Sequence, residues 1–324
     1  MSTSVMLARV ANAVYWMSRY IERAENTARF VDVNLQLTLD RSGFATPQWM
    51  PLVSITGDEQ AFAVGYGTPS RENVLAFLTL DPDYPNSIRS CVERARENAR
   101  TVRETLTTEM WQQINELYHL LRNTRPAQLT HQFYRDVKRS AMLFTAVTDN
   151  AMMHAIGWDF VRLGRMIERA DKTSRILDVK YFLLLPSVDD VGTSLDAIQW
   201  RALLHSTDAL EMYRQKHGTI SPGNVVDFLL FNESFPRALA FCLAHGERSM
   251  VRLCGSNPHE DADLARREWG WLRSEMQYRT VKEVIRRGLH EYLDDFQGRL
   301  NQVDNTISRA FFQPRLPESG LTSL

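Results

Sequence analysis

Lysine is scarce in this chain. Among its 324 residues and 38 basic side chains, only Lys138, Lys172, Lys180, Lys216 and Lys282 are lysine; the other 33 are arginine. Guanidinium groups grip carboxylates and phosphates at two points and tolerate burial better than ammonium groups. A GC-rich coding sequence produces the same bias, so the bias alone decides nothing. Cysteine is also rare. Cys91, Cys242 and Cys254 show no paired short spacing, which excludes a disulfide framework and any Cys/His metal framework, and points to free thiols in a reducing compartment. Long apolar runs are missing too: the stretch VANAVYWM meets Arg19, Glu22 and Arg23 at once, with no cleavage-like segment after it. A cytoplasmic protein is expected. A net charge of −1 excludes nucleic-acid binding by bulk attraction.

Catalytic signatures are equally thin. GYG at 65–67 lacks the lysine that opens a phosphate-binding helix, no serine elbow is present, and the eight histidines are scattered. Glu116 and His119 have a di-metal spacing without a second copy, so no metal and no cofactor are expected.

What is present is helical periodicity nearly throughout. Residues 5–39 place Val10, Val14, Met17, Ile21, Ala24, Ala28, Val31 and Leu35 at three- and four-residue steps, and Ser42-Gly43 is expected to close that helix. Thr68-Pro69 reads as an N-cap followed by a helix to Thr79, and Ser87 as the start of another running past Arg103. Further helices are expected at 130–153, 158–184, 195–216, 236–253, 260–278 and 280–311, with Ser221-Pro222 as a second cap. No alternating strand pattern occurs. The fold class is all-α: a large multi-helix bundle of two related halves, about 1–125 and 126–313, parted at Pro126, with a flexible tail at 314–324.

The strongest signal is a repeat. YIERAENTARFVDV at 20–33 returns as MIERADKTSRILDV at 166–179. On a helix, Ile21, Ala24, Ala28, Val31 and Leu35 share one face, while Glu22, Glu25, Arg29 and Asp32 form a neighbouring charged arc flanked by Arg19 and Arg23. The second copy matches: Glu168, Asp171, Arg175 and Asp178, flanked by Arg165 and Arg169. A shorter copy, ERARENAR at 93–100, keeps Glu93, Arg94 and Arg100 in phase. Each copy has two small residues four apart, Ala24/Ala28, Ala95/Ala99 and Ala170/Ser174, which permits close helix crossing. The copies are therefore expected to meet one another or to line one cavity. Two readings stay open: a structural ion-pair network that fixes helix register, and a pocket whose arginines hold a carboxylate or phosphate.

Together, the paired IERA segments, RENARTVR with EMW after it, and LGRMIERADKTSRILDVKY resemble the alpha-E domain family, a bacterial helical group with a recurrent Glu-Arg motif. The resemblance runs from about Met6 to Phe312. It places the Glu-Arg motifs at Glu22-Arg23 and Glu168-Arg169. The segment AMMHAIGW departs from the family pattern at Ala151 and His154. The resemblance implies two partners, a circularly permuted ATP-grasp ligase-like protein and a transglutaminase-like peptidase, and hence work on peptide-like amide bonds. Two functions follow as expectations: a non-catalytic helical partner of that system, or an enzyme or ligand-binding subunit whose Glu-Arg cluster holds an anionic substrate. Separately, the density of Trp269, Trp271, Arg266 and Arg273 marks a candidate protein interface.

Overall fold

The computed structural model describes residues 6–39, 49–183 and 194–313. The expected helix stop at Ser42-Gly43 and the expected flexible tail lie outside the described residues. Those residues form α1 (Ala8–Leu39), α2 (Met50–Ser54), α3 (Glu59–Tyr66), α4 (Arg71–Thr79), α5 (Ile88–Thr101), α6 (Thr108–Arg122), α7 (His131–Ala151) and α8 (Ile156–Leu183). They continue with α9 (Ser194–Ser206), α10 (Leu210–His217), α11 (Pro222–Phe231), α12 (Leu239–Cys254), α13 (Glu260–Tyr278), α14 (Val281–Arg287) and α15 (Leu289–Phe311). Two short 3-10 turns, at Arg103–Thr105 and Pro126–Gln128, complete them, and no strand occurs among the described residues. The all-α class holds.

Local chemistry sets most boundaries. Ser70, Ser87, Thr107, Thr130 and Ser221 each accept a hydrogen bond from a backbone N–H in the first turn of the following helix. The cap expected at Thr68 is in fact Ser70, because the Thr68 carbonyl is occupied by the Asn73 side chain and the helix starts after Pro69. Two expected long helices are each broken. The 195–216 segment parts into α9 and α10 at Asp208, whose φ of 57° is left-handed, and 280–311 parts into α14 and α15 at Gly288, φ 103°. The helix expected from Pro236 begins only at Leu239, and α5 stops at Thr101 rather than past Arg103.

Packing centres on α1 and α8. α1, α5, α6 and α7 close a ring of neighbouring contacts, and α8, α12, α13 and α15 close another, with α1 and α8 packed together between them. α7, which follows Pro126, completes the first ring by packing on both α1 and α6. The small residues earn close approach: Ala24, Ala28, Ala95, Ala99, Ala170 and Ser174 are all buried. At Gly164 a Cβ would stand 2.5 Å from the Tyr15 carbonyl oxygen, so only glycine lets α8 lie against the α1 backbone there.

Candidate functional site

The two copies of the repeated segment face each other. Arg169 donates from Nε and Nη2 to the two carboxylate oxygens of Glu22 at 2.9 and 2.8 Å. Arg23 answers in kind, donating to both oxygens of Glu168 at 2.7 and 2.8 Å. Each helix thus offers a carboxylate and a guanidinium fork, and each fork closes on the other helix's carboxylate. Gly164 lies against Tyr15, and four residues further along both helices Glu168 lies against Arg19, so α1 and α8 run side by side in the same sense.

Around this double clasp a charged network is buried. Glu22 and Glu168 are 3% and 0% exposed, so neither carboxylate is served by bulk water. Arg237, at the entry to α12, donates to Glu22 at 3.0 Å, to Asn26 at 2.9 Å and to both oxygens of Glu25 at 2.9 and 2.8 Å. Arg29 pairs with Glu25 and, at 2.9 Å, with Asp208, whose left-handed backbone turns its carboxylate toward α1. Beside the other clasp, Arg23 reaches the Asn86 side-chain oxygen at 2.6 Å and Arg19 reaches Glu168 at 3.0 Å and Asp304. Asp171 binds Lys172 at 3.0 Å and Arg175 at 2.9 Å. The Arg175 guanidinium lies against Gly57, which has a φ of 77°, where a Cβ would meet it at 3.1 Å.

The other expected members stand apart. Arg165 donates to Asp149 at 3.0 Å. Asp32 is buried, pairs with the half-buried His131 and Lys138 and so joins α1 to α7; Asp178 accepts from His290 at 2.8 Å and joins α8 to α15. The third copy does not join at all. Arg94 and Arg100 are exposed, Glu93 pairs locally with Arg89 at 3.1 Å, and Arg100 pairs with Glu97 at 2.9 Å. The reason is rotational: α5 buries Ala95 and Ala99 against the core, which turns its charges outward.

Electrostatics fix the protonation states. Burial is the largest influence on Glu22 and Glu168 and pulls their pKa upward. The summed fields of Arg169, Arg237 and Arg165 on Glu22, and of Arg23, Arg19 and Lys172 on Glu168, outweigh it and hold both well below the usual carboxylate range. Both stay ionised through any physiological pH. Nearby, burial pushes the Cys91 thiol up to about 11 and Cys242 up to about 12, so neither is a thiolate nucleophile. The arrangement therefore lacks a proton donor or acceptor poised near neutrality. What it does provide is register: sliding α8 along α1 by one turn would strand two carboxylates and two guanidinium groups in a dry interface. No group of three or more His, Cys, Asp or Glu side chains among the described residues is placed to hold a metal ion. Among them no helix is long and apolar enough to cross a membrane.

A family model described as a predicted alpha-helical domain with a conserved ER motif, Alpha-E, matches residues 6–312. The chain belongs to the Alpha-E family. It is also similar to uncharacterized proteins of Mycobacterium bovis and Mycobacterium tuberculosis, 26% identical over 278 residues, covering 78% of this chain and 31% of each relative. The chain thus spans about a third of the length of the curated relatives it matches. No solved structure matches.

Several members of the Alpha-E chain's network escaped sequence reasoning: Arg237, Asn26, Asn86, Asp208, Asp149 and Asp304. One signal was available. SFPRA at 234–238 occupies the same place before α12 as DYPNS at 83–87 before α5, which aligns Arg237 with Asn86, the two side chains that flank the two clasps. The tryptophan interface needs correcting. Trp269 is 1% exposed and donates to the Leu243 carbonyl at 2.9 Å, filling the space over Gly246, so it is core. Trp271, two residues on, faces outward at 63% exposure beside Arg299 and Gln302. Arg266 pairs with Asp263 at 2.7 Å on its own helix, and Arg273 with Glu247 on α12.

Proposed function

We propose that this Alpha-E chain is a non-catalytic helical partner, or accessory subunit, of a system that acts on peptide-like amide bonds, its partners being an ATP-grasp ligase-like protein and a transglutaminase-like peptidase. The observation that carries the non-catalytic half is the double clasp. Arg23 and Arg169 each give two donors to a motif carboxylate at 2.7–2.9 Å and a further one to Asn86 or to the Pro236 carbonyl, so little of either guanidinium remains for a substrate. A ligand-holding cluster needs guanidinium groups that are short of partners, and Arg23 and Arg169 are not. The partner half rests on the family resemblance. It is supported by the mycobacterial relatives, in which the matched segment fills 31% of a longer polypeptide, as a module working beside another does.

The test is co-expression with the ATP-grasp-like protein, affinity capture of either component, and ATP turnover with and without this chain. Co-purification with altered turnover is expected, and the isolated chain should turn over nothing. An Arg169→Ala variant that keeps its fold but loses affinity for an acidic peptide would instead make the cluster a binding site and reject the scaffold.

A further inference from the structure

Outside the clasp, positive charge gathers in one place without being matched. α8 contributes Arg162 and Arg165, and α12 contributes Arg248 and Arg252. The carboxylates facing these four guanidinium groups are Asp159 and Asp149. Glu22, whose field reaches Arg165, is already shared by Arg169 and Arg237.

The bottom of the cluster is built. Arg162 donates from Nε to the Ser249 hydroxyl at 2.8 Å, and that hydroxyl donates to Asp159 at 2.9 Å. Arg252 donates from Nε to the same Asp159 oxygen at 3.1 Å. The Trp158 ring is covered by Arg162 at 4.5 Å, Arg252 at 5.4 Å and the stacked His154 ring at 4.0 Å, so its faces are taken. Two buried donors make no hydrogen bond: Arg162 Nη2, which is 3.6 Å from Asp159, and Arg165 Nε.

The rim is exposed. His245, Arg248 and Arg252 lie three and four residues apart on one face of α12, with the His245 ring stacked on Phe241 at 3.9 Å. Arg248 has no hydrogen bond or ion pair among the described residues. Like charges four apart on a helix repel, and because Arg252 shares Asp159 with Arg162, the charge left without a counter-ion on this face is that of Arg248. The crowding also registers on the neighbours. Burial, and after it the Arg252, Arg165 and Arg248 charges, pull Arg162 down to about 10 against the opposing field of Asp159.

We propose that the α12 face carrying His245, Arg248 and Arg252, over Arg162 and Arg165, is a binding site for a phosphate group. Four guanidinium groups face two carboxylates, a net charge of two that matches a dianion better than a carboxylate. Tetrahedral phosphate oxygens can accept from Arg248 and Arg252 together, while a planar carboxylate offers two acceptors and one charge. Trp158 is covered by Arg162, Arg252 and His154, so the contacts left for a ligand are guanidinium donors, which select for its phosphate. This site is independent of the clasp and of the partner reading.

Titration calorimetry with inorganic phosphate, against acetate and chloride at matched ionic strength, tests it. Phosphate should bind and acetate should bind at least about tenfold more weakly, the difference expected for losing one charge-assisted contact. Arg248→Gln and Arg252→Gln should each weaken phosphate about tenfold, whereas Arg299→Gln, on α15, should not. Arg248 is exposed and makes no ion pair among the described residues, so Arg248→Gln should melt like the parent without phosphate, whereas Arg252→Gln also takes a donor from the buried Asp159 and is compared at a temperature well below its own melt. In a parallel arm, vesicles carrying phosphatidic acid are sedimented with the protein. Co-sedimentation lost in the Arg248→Gln variant assigns the phosphate to a lipid headgroup, and binding of free phosphate alone assigns it to a soluble molecule. Equal affinity for phosphate and acetate, or phosphate affinity indifferent to both rim substitutions, overturns the proposal.

Discussion

Replacing Glu22 by methionine removes the carboxylate that Arg169 grips at 2.9 and 2.8 Å and that Arg237 touches at 3.0 Å. The two arginines do not suffer equally. Arg237 keeps both oxygens of Glu25 and the Asn26 side chain, while among the described residues Arg169 keeps one hydrogen bond, to the Pro236 carbonyl at 3.3 Å. One guanidinium is therefore stranded, with its side chain 12% exposed, and the cost should reach the upper end of the about 3–5 kcal/mol typical of a broken buried pair. Arg169→Met is milder, because Glu22 retains Arg237 and Asn26; it should cost near the lower end of that range. The double variant strands neither group of the clasp, so it should be more stable than Glu22→Met alone, with a coupling of about 2–3 kcal/mol. For a chain of this length about 1.5 °C of Tm accompanies each kcal/mol, which places Glu22→Met about 7 °C below the parent. Urea and thermal melts followed by helical circular dichroism read all three. Single costs under about 1 kcal/mol that simply add in the double variant would mean a solvated pair, and the dry-clasp reasoning would fail.

Acid should unfold the protein through the same carboxylates. Glu22 and Glu168 are held below their unfolded value of about 4.3, so the stability they contribute is complete above that pH and is lost as pH falls through the lower folded values; Glu168→Gln should flatten the acid limb of a stability–pH profile below about pH 5. Thiol labelling at about pH 8 should modify none of the three cysteines until denaturant is added, because all are buried and burial pushes Cys91 and Cys254 up to about 11 and Cys242 up to about 12. Gly246→Ala should cost about 3 kcal/mol in a urea melt, since its Cβ would fall 2.0 Å from the Trp269 ring; adding Trp269→Phe should recover part of the loss.

The charged arc illustrates how far a one-dimensional pattern reaches. Helical spacing put Glu22, Glu25, Arg29 and Asp32 on one arc, and Glu168, Asp171, Arg175 and Asp178 on its twin, because residues three and four apart on a helix share a face; Arg23 and Arg169 stood only as flanks. The same spacing was equally satisfied by Glu93, Arg94 and Arg100, which ended on the surface. A face is defined relative to its own helix, and only packing decides which way that helix is turned. The tryptophans make the same point: Trp269 and Trp271 are two positions apart, and one fills the core while the other meets solvent.

By itself, then, the sequence determined the helices, their caps, the repeated Glu-Arg segment and the alanine-sized positions that allow close approach, since each is a property of neighbouring residues. Tertiary structure alone decided that Glu22 belongs to Arg169 and Glu168 to Arg23. It also decided that Arg237, Asp208 and Asp304 complete the network from distant helices, and that surplus arginine charge collects on α8 and α12. Those outcomes depend on which helix faces which, and Coulombic pairing in a dry interface is fixed by distances that local spacing does not encode.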